Sequence, residues 1–298
     1  GGGGGRGGVG GGGGGGGVFF LWGGGGGAGG GPPPPPTEEG SGALAGDVRL
    51  GAGLVLLLAV AAGVLAWARI PRRRDVVTAS LRAIIQLTVV GLALHGVFAA
   101  PPTTVAVLAV MLAAAVATAS RRLIGFPDAT RRVTVSCLLG AGVTLGVIFA
   151  AGAVEPSVRT LVALAGSIIG GTMTACTLTG RRIAEGLRRR WDEVEAWLAL
   201  GASPRQAVVD IARDSVAEAL VPALDQTRTV GLVTLPGTFV GALLGGASPA
   251  DAARFQVVVL IGMLSAQSVA AVSLAWQLGA PTRLPAAARD PSALAEGS

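Results

Sequence analysis

Apolar residues arrive in long runs from Leu50 onward. Seven can be marked out, at residues 50–68, 78–98, 103–119, 133–154, 158–179, 222–246 and 256–278. A helix needs roughly 17–25 residues to cross a bilayer, and the runs have about that length. The pattern predicts an all-α, polytopic membrane protein with about seven transmembrane helices. Its turns carry Pro71, Pro101, Pro102, Pro127, Pro156 and Pro249, residues that end helices. Run six is interrupted by Gly231, Pro236, Gly237, Gly241, Gly245 and Gly246. Proline removes a backbone donor and clashes with the preceding turn, so a kink or break is expected there. Broken helices at membrane depth persist where they are packed in protein or line a wet cavity. Pro236, Gly237 and Gly241 are therefore candidate wall residues of a pathway. The plainer reading is close helix packing, since Gly241 to Gly245 is a G-x-x-x-G.

One long polar insertion, residues 181–220, separates runs five and six. It reads as two helices. Trp191, Val194 and Leu198 recur at i, i+3, i+7 and form an apolar stripe. Gly201 stands where a helix end favours positive φ. Ser203 is a natural N-cap, Pro204 suits the first helical position, and Gln206 completes a capping box. The second helix carries Ala207, Val208, Ile211, Ser215 and Ala219. Such a hairpin suits a docking element gripped by a soluble partner; the alternative is an amphipathic loop lying on the bilayer. Both ends feed straight into membrane runs, which argues against a DNA-binding helix-turn-helix and any nucleic-acid partner.

Charge sets the orientation. The net charge is +6, and all 23 basic residues are Arg. Setting aside Arg82 and Arg228, 17 arginines fall on one face of the seven-run topology and four on the other. Cytoplasmic loops retain basic residues, so the N-terminus is expected outside and the C-terminus inside, in a plasma (inner) membrane. Without Lys there is no P-loop and no Schiff-base chemistry. The chain is expected to bind no cofactor and to hydrolyse no ATP by itself. Cys137 and Cys176 sit in apolar runs and are expected to be reduced and buried.

Residues 1–46 are a different material. Of the first 31 residues 23 are Gly, followed by Pro32 to Pro36. This composition cannot bury a core and reads as disordered. The missing initial Met suggests a fragment or a misplaced start. Residues 47–280 form the expected transmembrane domain and 281–298 a cytoplasmic tail.

Several segments resemble a known family. Glu195, Ala196 and the sequence through Leu200 and Gly201 resemble the EAA loop of ABC transporter permeases, although Arg213-Asp214 stands where that motif has Leu-Pro. Leu81 to Leu87, Asp225 to Gly237, Gly241 to Pro249 and Arg254 to Gln256 resemble the FetB/YbbM permeases, over roughly residues 50–280. Members of that family are described as bacterial iron exporters, with plant relatives in aluminium tolerance. The resemblance implies an ABC permease exporting an iron-like metal or related solute. It implies a homodimer and a separate ATP-binding subunit that holds ATP-Mg and couples through Glu195, Ala196, Leu200 and Gly201. The family tends to have Met at the positions of Thr227, Thr238 and Phe239, Gln at Ala242 and Asn at Gly171. These departures leave the cargo open.

A charge inside the membrane costs roughly 2.5–3.5 kcal/mol and needs a reason. Arg82 and Gln86 share a helix face in run two, either lining a pathway or snorkelling to headgroups. Asp225 and Arg228 are three apart and can pair. His95 lacks companions for a metal site. Met173 and Cys176, three apart in run five, offer two soft sulfur ligands for a metal, with core packing as the plainer role. The competing function is a secondary transporter or channel, which calls for a titratable carboxylate at mid-membrane. Asp225 is the one acidic residue that falls inside a run.

Overall fold

The computed structural model describes residues 38–71, 73–97, 101–123 and 125–279. Among them the regular structure is helical: α1 Glu38–Trp67, α2 Arg73–Val97, α3 Pro101–Arg122, α4 Ala129–Ala150, α5 Val158–Arg189, α6 Trp191–Ala199, α7 Pro204–Thr229, α8 Gly237–Leu244 and α9 Pro249–Leu278. The chain divides into two compact units, one ending at Thr103 and the other beginning at Thr104.

The first unit holds α1 and α2, which pack on each other. The turn between them closes with Arg69 N–H on the Ala66 carbonyl and Ile70 N–H on the Leu65 carbonyl. That Schellman closure puts Arg69 at φ 54°, a position glycine usually takes.

The second unit is organised around α5. Leu164, Ile168, Thr172, Cys176, Thr179, Ile183 and Leu187, spaced three or four apart, are all buried, the stripe expected of a helix packed along its length. Helix α9 runs parallel beside it, with Gly171 against Gln267 and Ile168 against Gly262. Helices α4 and α7 complete the packing around these two. Small residues permit the close approach. A Cβ built on Gly140 of α4 would lie 2.6 Å from the Ala266 carbonyl oxygen of α9 and 2.9 Å from Thr172.

Among the described residues, five helical segments are long and apolar enough to cross a membrane: Val48–Trp67, Thr103–Arg122, Ala129–Ala150, Val158–Arg189 and Pro249–Leu278. Run two is helical as expected, but α2 carries three Arg and Asp75 and falls outside this set. Run six is not one helix. Helix α7 ends at Thr229, residues 230–236 are non-helical, and α8 restarts at Gly237. The expected break is therefore present, and it is wider than a kink at Pro236. Run five is longer than expected, since α5 continues ten residues past Thr179 to Arg189. Helix α1 begins at Glu38, inside the stretch read as disordered. The rest of that stretch, residues 1–37, and the expected tail lie outside the described residues, as does the His95 side chain.

Replacing Gly140 with Ala should push α4 from α9 and cost about 1–3 kcal/mol, the usual range for overpacking. Gly142→Ala, on the same helix with no atom within 4 Å of its Cβ position, should cost nothing. Thermal unfolding of the two variants in detergent micelles checks the contrast.

Candidate functional site

The hairpin of α6 and α7 forms as its local chemistry dictates. Leu200 caps α6, and Gly201 follows at φ 91°. Ala202 N–H donates to the Trp197 carbonyl and Gly201 N–H to the Leu198 carbonyl, each at 3.0 Å, which is a Schellman closure. Ser203 then caps α7: its Oγ accepts from Gln206 N–H at 3.4 Å, and its own N–H donates to Gln206 Oε1 at 2.9 Å. The expected capping box is present, with Pro204 at the first helical position. The inward faces also match. Val194, Ala207, Val208, Ile211, Ser215 and Ala219 are buried, and Trp191 and Leu198 pack against the same core.

What faces outward is the sequence segment singled out for coupling. Leu200 is 81% exposed and Trp197 55% exposed. Glu195 and Ala196 are exposed beside them, with Glu195 Oε1 accepting from the Trp191 indole N–H at 2.6 Å. Between α6 and α7 lies an open groove of about 520 Å³, walled by Trp197, Leu200, Arg190, Glu193, Gln206 and Asp210 among others. It offers apolar surface beside the paired Arg190 and Glu193 and the carboxylate of Asp210.

Ion pairs brace the hairpin. Arg190 reaches Glu193 at 2.7 Å and Asp214 of α7 at 3.4 Å. Arg182 of α5 reaches Glu218 of α7 at 3.2 Å, and Arg189 pairs with Glu185. The hydrogen bond from Arg190 holds the Glu193 carboxyl below its ordinary pKa, and Glu193 raises the guanidinium in return. These groups are solvated, so the pairs position the hairpin more than they stabilise it. Two further contacts tie the assembly to the bundle. Helix α5 runs into it without interruption, and a Cβ on Gly186 would meet Ile211 of α7 at 2.6 Å. Arg205 of α7 lies 4.2 Å over the ring of Trp276 in α9, a cation–π contact worth about 0.5–1 kcal/mol at an exposed site. Arginine thus collects at one end of this unit, where α5 and α9 finish. Arg159 and Arg254 stand at the other end, where those helices begin.

The second candidate region is the break after α7. Asp225 and Arg228 pair at 3.5 Å, as expected, and both side chains are exposed. The backbone at the break satisfies itself. The Thr229 carbonyl accepts from Val233 N–H at 2.9 Å, and Gly231, at φ 83°, donates to the Thr234 carbonyl at 2.9 Å. Pro236 caps α8. Thr238 donates to Gln256 of α9 through its hydroxyl, and Gln256 is buried. Gly237 and Gly241 have no atom within 4 Å of their Cβ positions. Within this chain Gly241, the first glycine of the G-x-x-x-G, therefore makes no close helix contact. Arg82 and Gln86 lie in the other unit, both exposed on α2.

Of the sulfur candidates, Cys176 is fully buried and Met173 partly so. Against Cys176 lies the sulfur of Cys137 in α4, at 3.9 Å. Both cysteines are free and buried as expected. No group of three His, Cys, Asp or Glu suited to a metal occurs among the described residues. A polar seam between α4 and α9 was not anticipated. Gln277 Nε2 donates to Ser136 Oγ at 3.0 Å, Ser136 to Ser273 at 3.3 Å and Thr144 to Ser265 at 3.4 Å. Arg132 donates to the Gln277 carbonyl. The spacing of Ser265, Ser273 and Gln277, in multiples of four, was the available signal.

Comparison with known proteins brings in relatives. A family model described as an uncharacterised protein family, UPF0014, matches residues 49–280. The UPF0014 membrane protein STAR2 of Oryza sativa subsp. japonica is 34% identical over 68% of this chain and 73% of its own. The probable iron export permease protein FetB of Escherichia coli (strain K12) is 31% identical, over 74% of this chain and 86% of its own. The protein ALUMINUM SENSITIVE 3 of Arabidopsis thaliana is 30% identical, over 78% and 87%. No solved structure matches the chain.

The hairpin's local closure is testable by itself. Ser203→Ala should cost about 1 kcal/mol through the lost cap, and Gly201→Ala about 1–2 kcal/mol through left-handed backbone strain. Hydrogen exchange read by mass spectrometry should quicken roughly fivefold or more across residues 191–206. Peptides from α4 should be unchanged.

Proposed function

The chain belongs to the UPF0014 family of membrane proteins, and from that premise we propose that it is the permease subunit of an ABC transporter. Its cargo in this reading is an iron-like metal ion or a related small solute, moved outward. The energy comes from ATP-Mg on a separate ATP-binding subunit. Two copies of the permease form the pathway in lipid. Residues 47–280 are the transmembrane domain, and 181–220 are the coupling element.

One observation carries this reading. The hairpin is closed at both helix ends by its own hydrogen bonds, is joined to the core through the unbroken α5, and still presents Trp197 and Leu200 to the exterior. Large exposed apolar side chains beside a charged groove suit a protein partner. A partner that moves them also moves α5, because α5 and α7 interlock at Gly186 and Ile211. Alternating access then follows as rigid-body motion. The lack of any Lys supports placing the nucleotide site in another chain.

Topology completes the reading. Five crossings are the apolar helices named above. Helix α2 is the sixth, and the end of α7 with α8 makes the seventh, a discontinuous one. The arginine-rich end faces the cytoplasm under the positive-inside rule, which puts the N-terminus outside and the C-terminal tail of 281–298 inside. Asp225, Arg228, Pro236, Gly237 and Gly241 are then the pathway residues of the second unit, and Arg82 and Gln86 those of the first. At Thr238 the resembled family tends to carry Met, and here a hydroxyl engages Gln256. The cargo contact is correspondingly harder in ligand character.

An ATPase subunit should co-purify with the wild-type chain from its native membrane. Glu195→Lys and Gly201→Trp should release it while the permease still folds. Retention of the ATPase by both variants would refute the docking assignment. Cells lacking the gene should accumulate iron relative to the complemented strain, and unchanged metal content would refute the cargo.

A further inference from the structure

Cys137 and Cys176 are the two cysteines of the chain. They belong to different helices, are both fully buried, and bring their sulfurs to 3.9 Å in the core shared by α4, α5 and α9. The transport reading makes no use of this pair, since its pathway candidates lie on α2, α7 and α8.

Two thiols held this way can bond to each other or to a metal, and distance decides between the two. A disulfide needs about 2.05 Å, so the sulfurs would have to close by nearly half their separation. They would do so in a core where α4 and α9 already touch at Gly140. Metal–thiolate bonds, about 2.3 Å for zinc, span about 4.6 Å when in line. A two-coordinate ion therefore asks these sulfurs to part by under about 1 Å, where a disulfide asks them to close by almost 2 Å.

Ligand number then selects the ion. Zinc in structural sites takes four ligands, and no group of three His, Cys, Asp or Glu stands here among the described residues. Soft cations that accept two sulfurs suit thiolate donors. The apolar surroundings require a site close to neutral. A monovalent ion meets that requirement when one S–H bond breaks, its proton leaves to solvent, and one metal–thiolate bond forms. The second thiol stays protonated and donates a lone pair. No oxidation state changes. We propose that Cys137 and Cys176 form a two-sulfur site for a soft monovalent cation of the Cu(I) or Ag(I) type, which clamps α4 to α5.

Silver(I) in chloride-free buffer is the probe, with the full-length chain reduced, freed of reductant and held in detergent micelles. Equilibrium dialysis should give one Ag(I) per chain, with a raised melting temperature. Cys137→Ala and Cys176→Ala should each weaken binding at least tenfold, and Zn(II) should leave the melting temperature unchanged. If the double variant keeps full affinity, or the cooperatively folded wild type takes up no Ag(I), the site does not exist. Should the alanine variants fail to fold, the wild type decides alone. Bound Ag(I) must release one proton per ion and slow maleimide labelling of the thiols in mild denaturant. Binding that leaves both thiols fully reactive overturns the proposal. None of these readouts depends on an ATPase partner, so they stand or fall separately from the transport assignment.

Discussion

A 32-residue helix cannot be hidden inside a bilayer. Helix α5 is about 48 Å long at 1.5 Å per residue, against a hydrocarbon core of about 30 Å. It has no internal break at which to shed the excess. Roughly a third of it must therefore stand in water or among headgroups, and the rest of the second unit is arranged around that fact. The buried stripe from Leu164 to Thr179 collects α4 and α9. The overhanging end, from Gly180 to Arg189, collects α6 and the first half of α7. One rod thus belongs to two environments, and a displacement at either end is felt at the other.

The apolar medium also explains how polar groups are handled. Backbone donors in hydrocarbon must find partners within the protein. The break between α7 and α8 is closed by its own backbone on the Thr229 carbonyl. Side chains follow the same rule. Ser136, Ser273 and Gln277 answer one another across the α4–α9 seam, and Thr238 answers Gln256. Asp225 and Arg228 differ: they answer each other along one helix and leave both heads uncovered. That arrangement suits a surface that meets water or another chain better than one that meets acyl tails.

What could be read in advance was whatever depends on near neighbours in sequence. The caps at Gly201 and Ser203 are chemistry between residues at most five apart, and they form as written. The inward faces of α6 and α7 follow from helical period alone. Hydropathy did less well at boundaries. It marks where apolar residues stop, and α5 continues through Arg181 and Arg182 because helix propensity and packing on α7 outlast the apolar run. It also joined Leu232, Val233 and Leu235 to run six, although the positive φ of Gly231 and the cap at Pro236 take them out of the helix. Contacts between distant segments were illegible. Cys137 lies 39 residues from Cys176 and Ser136 lies 141 from Gln277, and only the way the helices lie against one another brings them together.

Chain order gives the bundle an unusual history. The hairpin of α6 and α7 is closed by its own hydrogen bonds and can take shape as soon as it clears the ribosome. The helix that braces α4 and α5, however, is α9, the last of the described elements to be made. Until it arrives, Gly140, Thr144 and Gly171 lack the α9 side of their contacts. The nascent protein therefore carries a closed hairpin before its bundle is complete, and the seam between α4 and α5 is finished only by the last helix.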